Sequence, residues 1–305
     1  MSDAPQGHGA WGTGRGALLQ DKLQRVQQRL ATFDRVVIAF SGGVDSTLLA
    51  YLAREVLGKD NVFAVTADSP SLSREDLTEA KRLAAQLDLQ HRVIATKEVT
   101  NPLYRRNTPT RCYVCKQELF EELDELARAQ HIAVILYGAI GDDLLAERPG
   151  QHAAVERGVL APLQEVGLEK WEVRELARTL GVPNWDRPQN ACLSSRIPHG
   201  EEVTEQKLRQ IEAAEALLRA RGFRQVRVRH LGRCARIEVT PSEVSRFEEA
   251  ALRLEVIAGF LALGFETVSV DRAGYRPGGA DTRRVDEWVL QAGVPAKQEV
   301  STCGI

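Results

Sequence analysis

Charge of either sign is missing as an excess: Lys and Arg number 40 against 42 Asp and Glu, a net charge of −2. The basic footprint of a nucleic-acid binder is therefore absent, and no nucleic-acid partner is expected. No apolar run approaches the roughly 20 residues of a membrane span, so no membrane is expected either. Met1–Gly16 lacks the apolar core of a signal peptide and reads as polar, Gly-rich and disordered. Five cysteines are an odd count, which argues against a secreted disulfide framework and for a reducing, cytoplasmic compartment. There is no second Cys-x-x-Cys and no His-x₃₋₅-His, so a standard four-ligand zinc site is incomplete. No Gly-Lys-Ser/Thr follows the glycines at 42 and 43, which excludes the Walker pattern, and no internal repeat is visible.

What is present centres on Val36–Ser46, VVIAFSGGVDS. Val36–Phe40 is an apolar run, β-branched at its start, as a buried parallel strand requires. Thr47–Leu57 has Leu48, Leu49, Leu52 and Val56 at helical spacing. Between them lie Ser41, Gly42, Gly43, Val44, Asp45 and Ser46. Glycines let a backbone approach a phosphate closely, and the free N–H groups and dipole of a helix start favour an anion. The hexapeptide resembles the PP-loop of ATP pyrophosphatases, which hold the triphosphate and split ATP between its α and β phosphates.

The 305 residues suggest two domains. Leu18–Leu30 reads as an amphipathic helix, Val62–Thr66 as a strand, Ser73–Leu87 as a helix, and Arg92–Ala95 and Ala133–Tyr137 as strands around a helix at Phe120–Ala129. Strands alternating with helices predict an α/β fold, a parallel sheet with helices on both faces. Ligands bind such sheets at the carboxyl ends of the strands. Asp142, Asp143 and Arg148 follow the fourth strand and so fall near the nucleotide rim, where two acids serve Mg²⁺ alongside phosphate oxygens. Residues 161–180, APLQEVGLEKWEVRELARTL, carry a helix with Val173, Leu176, Ala177 and Leu180 on one face. The expected division is a tail over 1–17, a nucleotide domain over 18–184, a Pro-rich loop over 185–200, a small α/β domain over 201–290 and a tail over 291–305. In the small domain Ser242–Leu263 reads as one long helix.

Cys192 stands in the polar loop PNWDRPQNACLSSRIPHG. A cysteine reacts as its thiolate, which nearby cations favour, and Arg187 and Arg196 flank it. It reads either as a nucleophile or sulfur carrier or as an inert thiol. Cys112 and Cys115 form a pair open to redox, zinc or iron–sulfur chemistry. With Cys192 they would make three thiolates, leaving one iron of a four-iron cube open for sulfide. Cys234, in a strand, and Cys303, in the tail, read as structural or incidental. Arg227 and Arg229 alternate with Val226 and Val228, which puts both guanidiniums on one strand face and suits a phosphate.

The segments SGGVDSTLLA, GDDLLAERPG, PLQEVGLEKWEVRELA, WDRPQNACLSSRIPHGEEVT and VRVRHLGRCARIEV together resemble the LarE family of ATP-dependent sulfur transferases. The similarity spans about residues 20–280 and is most specific in the Cys192 loop. It implies an adenine nucleotide alpha hydrolase-like, Rossmann-like domain and a smaller C-terminal α/β domain. It implies ATP and Mg²⁺ on Ser41, Gly42, Gly43, Asp45, Ser46, Asp142, Asp143 and Arg148. The implied substrate is the small-molecule pyridinium-3,5-biscarboxylic acid mononucleotide, adenylated and then converted to the thiocarboxylate on the route to the nickel-pincer cofactor. Arg196, Glu215, Arg227 and Arg229 are its implied contacts.

In the sacrificial form of the family the cysteine matching Cys192 gives up its sulfur. The extra Cys112 and Cys115 are similar to the three-cysteine subgroup, whose 4Fe-4S cluster carries sulfide from a separate donor. The nucleotide half and the cysteine half would then share one cleft, and the family forms homo-oligomers. A tRNA-thiolating PP-loop enzyme, an amide-forming PP-loop synthetase and a non-enzymatic metal-binding protein are the competing readings.

Overall fold

The computed structural model describes residues 14–144, 149–276 and 286–291. In chain order the elements are α1 (Gly14–Leu30), β1 (Val36–Ala39), α2 (Val44–Leu57), β2 (Val62–Asp68), α3 (Arg74–Gln86), β3 (Gln90–Ala95) and the short turn α4 (Pro102–Arg105). Then come α5 (Arg111–Ala129), β4 (Val134–Tyr137), α6 (Pro149–Glu156), the turn α7 (Pro162–Glu165) and α8 (Lys170–Thr179). The rest is α9 (Glu205–Ala220), β5 (Val226–Leu231), β6 (Cys234–Val239), α10 (Ala250–Ala262), β7 (Thr267–Asp271) and β8 (Glu287–Val289).

The first sheet has the order β3-β2-β1-β4 and is parallel throughout, with Val36 beside Val62 and Val134. Alternation along β1 decides what each face buries. Val36 and Ile38 join the core formed with Leu19, Leu23, Val26 and Leu30 of α1, Leu48, Leu49 and Leu52 of α2, and Val173 and Leu176 of α8. Val37 faces the opposite way, into a core with Phe120, Leu123 and Ala127 of α5 and Ala153 and Ala154 of α6. Helices cover both faces, as a parallel sheet requires.

The second sheet has the order β5-β6-β7-β8; β6 and β7 are parallel, and the outer pairs are antiparallel. One face is apolar: Val226, Val228, Ile237, Val239, Val268 and Val270 pack under Leu218, Val256 and Phe260. The residues that alternate with these, Arg227, Arg229, Arg236, Glu238, Ser269 and Asp271, are polar and are buried as well. The free edge of β5 is occupied, since Val228 N donates to Glu215 Oε1 at 3.1 Å.

The chain folds as two compact units. One holds the chain up to Asp68, Arg74–Thr96 and Cys112–Gln189; the other holds Ser69–Ser73, Lys97–Arg111 and the chain from Asn190. The two early excursions belong to the second unit because they grip the Cys192 loop. Leu193 N donates to Ser71 O (2.8 Å), Tyr104 Oη and Ser194 Oγ share a 2.6 Å bond, and Asn107 Nδ2 donates to the carbonyls of Ile197, Pro198 and Glu201.

Several elements differ from the sequence expectation. α1 begins at Gly14, inside the expected tail. α5 begins at Arg111, ahead of Phe120, so Cys112 and Cys115 lie on its first turns; the Arg111 guanidinium anchors that start on Asn107 Oδ1 and Ser194 O. The helix expected over 242–263 is broken. A tight 3₁₀ turn runs from Pro241 to Glu248, Glu249 is extended (φ −65°, ψ 119°), and α10 starts afresh. Burial of Phe247, stacked on Phe223 at 5.0 Å between centroids, fixes that break. α6 and β8 were not anticipated from the sequence. Among the described residues no helix is long and apolar enough to cross a membrane.

Candidate active site

β1 delivers the chain to its carboxyl end, where Ser41, Gly42 and Gly43 turn it into α2. Gly42 has φ +69°, and a Cβ there would meet Ala80 of α3 at 3.0–3.1 Å, so conformation and packing both demand glycine. Gly43 caps α2 without a side-chain acceptor, which leaves the first N–H groups of the helix to an anion. The serines brace the loop. Ser41 N donates to Ser46 Oγ (3.2 Å), the two hydroxyls are 3.1 Å apart, and Ser46 Oγ donates to Gly43 O (3.1 Å). Ser46 is buried and Ser41 exposed. Gly138, just past β4, seals the underside: a Cβ there would lie 2.7 Å from Ser46 N.

Asp45 points at Lys170 at the start of α8, with both carboxylate oxygens 2.8 Å from Nζ. Burial raises the Asp45 pKa above its ordinary value; Lys170 pulls it down, and the charge of Asp143 raises it further. Asp143 is thus the acid of the 142–143 pair whose charge reaches Asp45. Its Oδ2 also accepts from Ile140 N at 3.1 Å. Asp142 is exposed and accepts from Lys170 N at 3.2 Å, so it caps α8. Two carboxylates beside a phosphate cradle fit Mg²⁺, which takes one or two carboxylates and fills its remaining positions from phosphates and water. Arg148 lies outside the described residues.

In the second unit, Cys192 is an exposed free thiol at the start of a 3₁₀ turn, Leu193–Arg196. Arg196 builds this loop. Its guanidinium donates to Ala191 O (2.5 Å), Cys192 O (3.1 Å), Ser195 Oγ (3.1 Å) and Asn190 Oδ1 (2.9 Å). The same group meets Glu215 at 2.8 and 3.1 Å, with both side chains fully buried. Arg196 and Glu215, expected to touch substrate, bond each other, and Arg196 also bonds the loop backbone. Arg187, expected beside the thiol, instead donates to Gly42 O (3.0 Å) and Asp76 Oδ1 (2.7 Å) in the first unit.

Arg227 and Arg229 do share a strand face. Arg229 is held two-pronged by Glu238 (2.8 Å twice) and donates to Ser195 O at 2.8 Å. Arg227 lies over the Tyr275 ring at 4.6 Å. Burial lowers the pKa of Arg227, with the charges of Arg196 and Arg229 adding to the effect. The other arginines of this face are paired with acids, Arg229 with Glu238 and Arg236 with Glu287.

Neither Cys112 nor Cys115 is in a disulfide; the first is exposed and the second half-buried. Among the described residues no group of three His, Cys, Asp or Glu side chains is placed to hold a metal ion. Thiolates are the donors that iron–sulfur clusters take.

Lys170 and Gly138 are absent from the sequence-derived site. Lys170 was visible only as part of a Lys-x-Glu-Val-Arg stretch, 125 residues from the carboxylate it meets. Gly138 carried no signal beyond its position after a strand.

A glycine loop between a parallel strand and a helix, with an acid–lysine pair at its rim, defines an ATP-using enzyme of the PP-loop class. The family model for NAD synthase matches residues 18–145. An uncharacterized protein of Synechocystis is 44% identical over 261 residues, 86% of this chain and 97% of that protein. The pyridinium-3,5-bisthiocarboxylic acid mononucleotide synthase of Lactiplantibacillus plantarum is 36% identical over 262 residues, 86% of this chain and 94% of that protein. A tRNA-specific 2-thiouridylase of Thermoanaerobacter is 29% identical over 241 residues, with 65% of this chain covered. The chain belongs to the LarE family, the pyridinium-3,5-bisthiocarboxylic acid mononucleotide synthases, and is an ATP-dependent sulfur transferase.

Proposed function

We propose that this enzyme adenylates a carboxylate of pyridinium-3,5-biscarboxylic acid mononucleotide and converts it to the thiocarboxylate, a step toward the nickel-pincer nucleotide cofactor. The observation that carries this reading is the 36% identity to a synthase of that name across 94% of its length. Ser41, Gly42, Gly43 and Ser46 would shape the triphosphate cradle. Asp45 and Asp143 would hold Mg²⁺, and Lys170 would neutralise developing charge. The substrate carboxylate attacks the α-phosphorus, the α–β anhydride bond breaks, and pyrophosphate leaves. Positioning and charge neutralisation supply the rate here, because no protein group need bond to the phosphorus. Arg227 and Arg229 would take the mononucleotide phosphate, with Arg196 and Glu215 fixing the loop that presents Cys192.

Sulfur then attacks the acyl carbon and AMP leaves. On the sacrificial route the Cys192 thiolate is the nucleophile; loss of its Cα proton breaks the Cβ–Sγ bond and leaves dehydroalanine. The exposure of Cys192 supports this route. On the other route Cys112, Cys115 and Cys192 ligate a 4Fe-4S cluster, which when bound would present sulfide from an external donor. Iron and acid-labile sulfide after anaerobic purification separate the two. About four irons, lost in Cys112→Ser, support the cluster; no iron, with a loss of about 34 Da at Cys192 after turnover, supports sacrifice.

Pyrophosphate release driven by the mononucleotide, with a product heavier by the exchange of oxygen for sulfur, is the expected result for the reaction as a whole. Release driven by ammonia or tRNA instead would overturn it.

A further inference from the structure

A Gly-Gly pair poses a specific problem for a phosphate loop. Neither residue has a Cβ, so the peptide plane between them can flip at little steric cost. Because that plane is rigid, its C=O and N–H point to opposite sides. A flip would therefore replace a donor with a carbonyl oxygen at the anion. Something in the fold must hold the Gly42–Gly43 peptide in one orientation.

Two side chains from the segment after α8 do so. Asn184 Nδ2 donates to Gly42 O at 2.9 Å and to Thr47 Oγ1 at 3.1 Å. Arg187 Nη1 donates to the same carbonyl at 3.0 Å, while Nη2 is braced on Asp76 Oδ1 of α3 at 2.7 Å. Asn184 is only 4% exposed, and the Arg187 side chain is 21% exposed. The next carbonyl is tied down as well, since Gly43 O accepts from Thr47 N (3.0 Å) and Thr47 Oγ1 (2.8 Å). With Gly42 O drawn toward Asn184 and Arg187, the Gly43 N–H points into the loop and donates to Ser41 Oγ at 3.3 Å, a long bond that an arriving phosphate oxygen would replace.

We propose that Asn184 and Arg187 are positioning residues that lock the Gly42–Gly43 peptide so that Gly43 N–H serves as a donor to the β and γ phosphates of ATP. This rests on the reading of the loop as an ATP site. It gives Arg187 a role in nucleotide binding. Both act through one carbonyl, Gly42 O.

The test compares affinities for ATP, pyrophosphate and AMP, without the mononucleotide, in wild type, Asn184→Ala, Arg187→Met and Arg187→Lys. Losing one of two donors to a buried carbonyl is expected to weaken ATP and pyrophosphate about tenfold, or about 1.4 kcal/mol. AMP lacks the phosphates concerned and should bind as before, and Arg187→Lys should recover part of the loss. A merely structural role would lower affinity for all three ligands together or for none, and either result overturns the proposal. If the buried Asn184→Ala does not fold, the more exposed Arg187→Met still decides. A wild type that binds no ATP sinks the nucleotide reading itself, whereas normal ATP affinity in folded variants sinks only the peptide lock.

Discussion

The PP-loop and the Cys192 loop are both short segments, one in each unit, and they are held differently. The PP-loop is shaped by its own sequence: two glycines, two serines and a helix start, with most hydrogen bonds closing within a few residues. The Cys192 loop combines a local clamp, its own Arg196, with distant ones. Its carbonyls are gathered by Arg196, Arg229 and Arg111 and its N–H at Leu193 by Ser71, from sites up to 122 positions away. A phosphate cradle needs backbone donors, which local glycine geometry supplies. An exposed thiol needs a stiff platform, which here comes from buried ion pairs.

The largest effect is expected where the platform is broken. Arg196→Ala leaves Glu215 buried with the Val228 N–H and the partly exposed Arg219, and removing one member of a buried pair destabilises by about 3–5 kcal/mol. Urea unfolding should show that loss, while Arg196→Met with Glu215→Leu recovers much of it without restoring thiocarboxylate formation. Full activity in the double variant would mean that the loop needs no such platform.

The counterpart in the first unit is Gly138→Ala. Its new Cβ would sit 2.7–3.0 Å from the backbone of Ser46 and Asp45, so the start of α2 must shift. ATP affinity should fall by about tenfold or more for a displaced donor set, with a smaller change in stability. Unchanged ATP affinity would show that the cradle tolerates displacement.

The smallest effect concerns pH. His230 on β5 is buried and its pKa is lowered to about 4. The unfolded chain binds a proton near pH 6.5 that the folded chain refuses, so stability falls as pH drops through the window from about 6.5 to 4. Between pH 7 and 5.5 this amounts to about 1 kcal/mol, and His230→Phe should flatten that part of the stability profile. A profile unchanged by the substitution would place the acid sensitivity elsewhere.

The same contrast explains what the sequence could tell. The first sheet and the PP-loop were readable because β-branched runs, helical spacing and a contiguous hexapeptide are local signals. Arg227 and Arg229 were rightly placed on one face by alternation alone, yet nothing in VRVRH announces that Glu238 clasps Arg229. Arg187 and Arg196 flank Cys192 in sequence, and proximity along the chain suggested thiolate activation. In the fold Arg187 turns back to Gly42, and Arg196 is drawn inward by Glu215. Lys170, Gly138 and Asn184 escaped notice because their partners lie 92 to 142 positions away.

The division of labour is tested most directly by Cys192→Ala, assayed for mononucleotide-dependent exchange of labelled pyrophosphate into ATP and, in parallel, for thiocarboxylate by mass. The proposed function gives carboxylate activation to the PP-loop unit and sulfur delivery to the cysteine loop. Exchange should therefore persist within about threefold of wild type, the range of a variant that has lost no activation chemistry, while no thiocarboxylate forms. Loss of exchange, or thiocarboxylate made without Cys192, would contradict it.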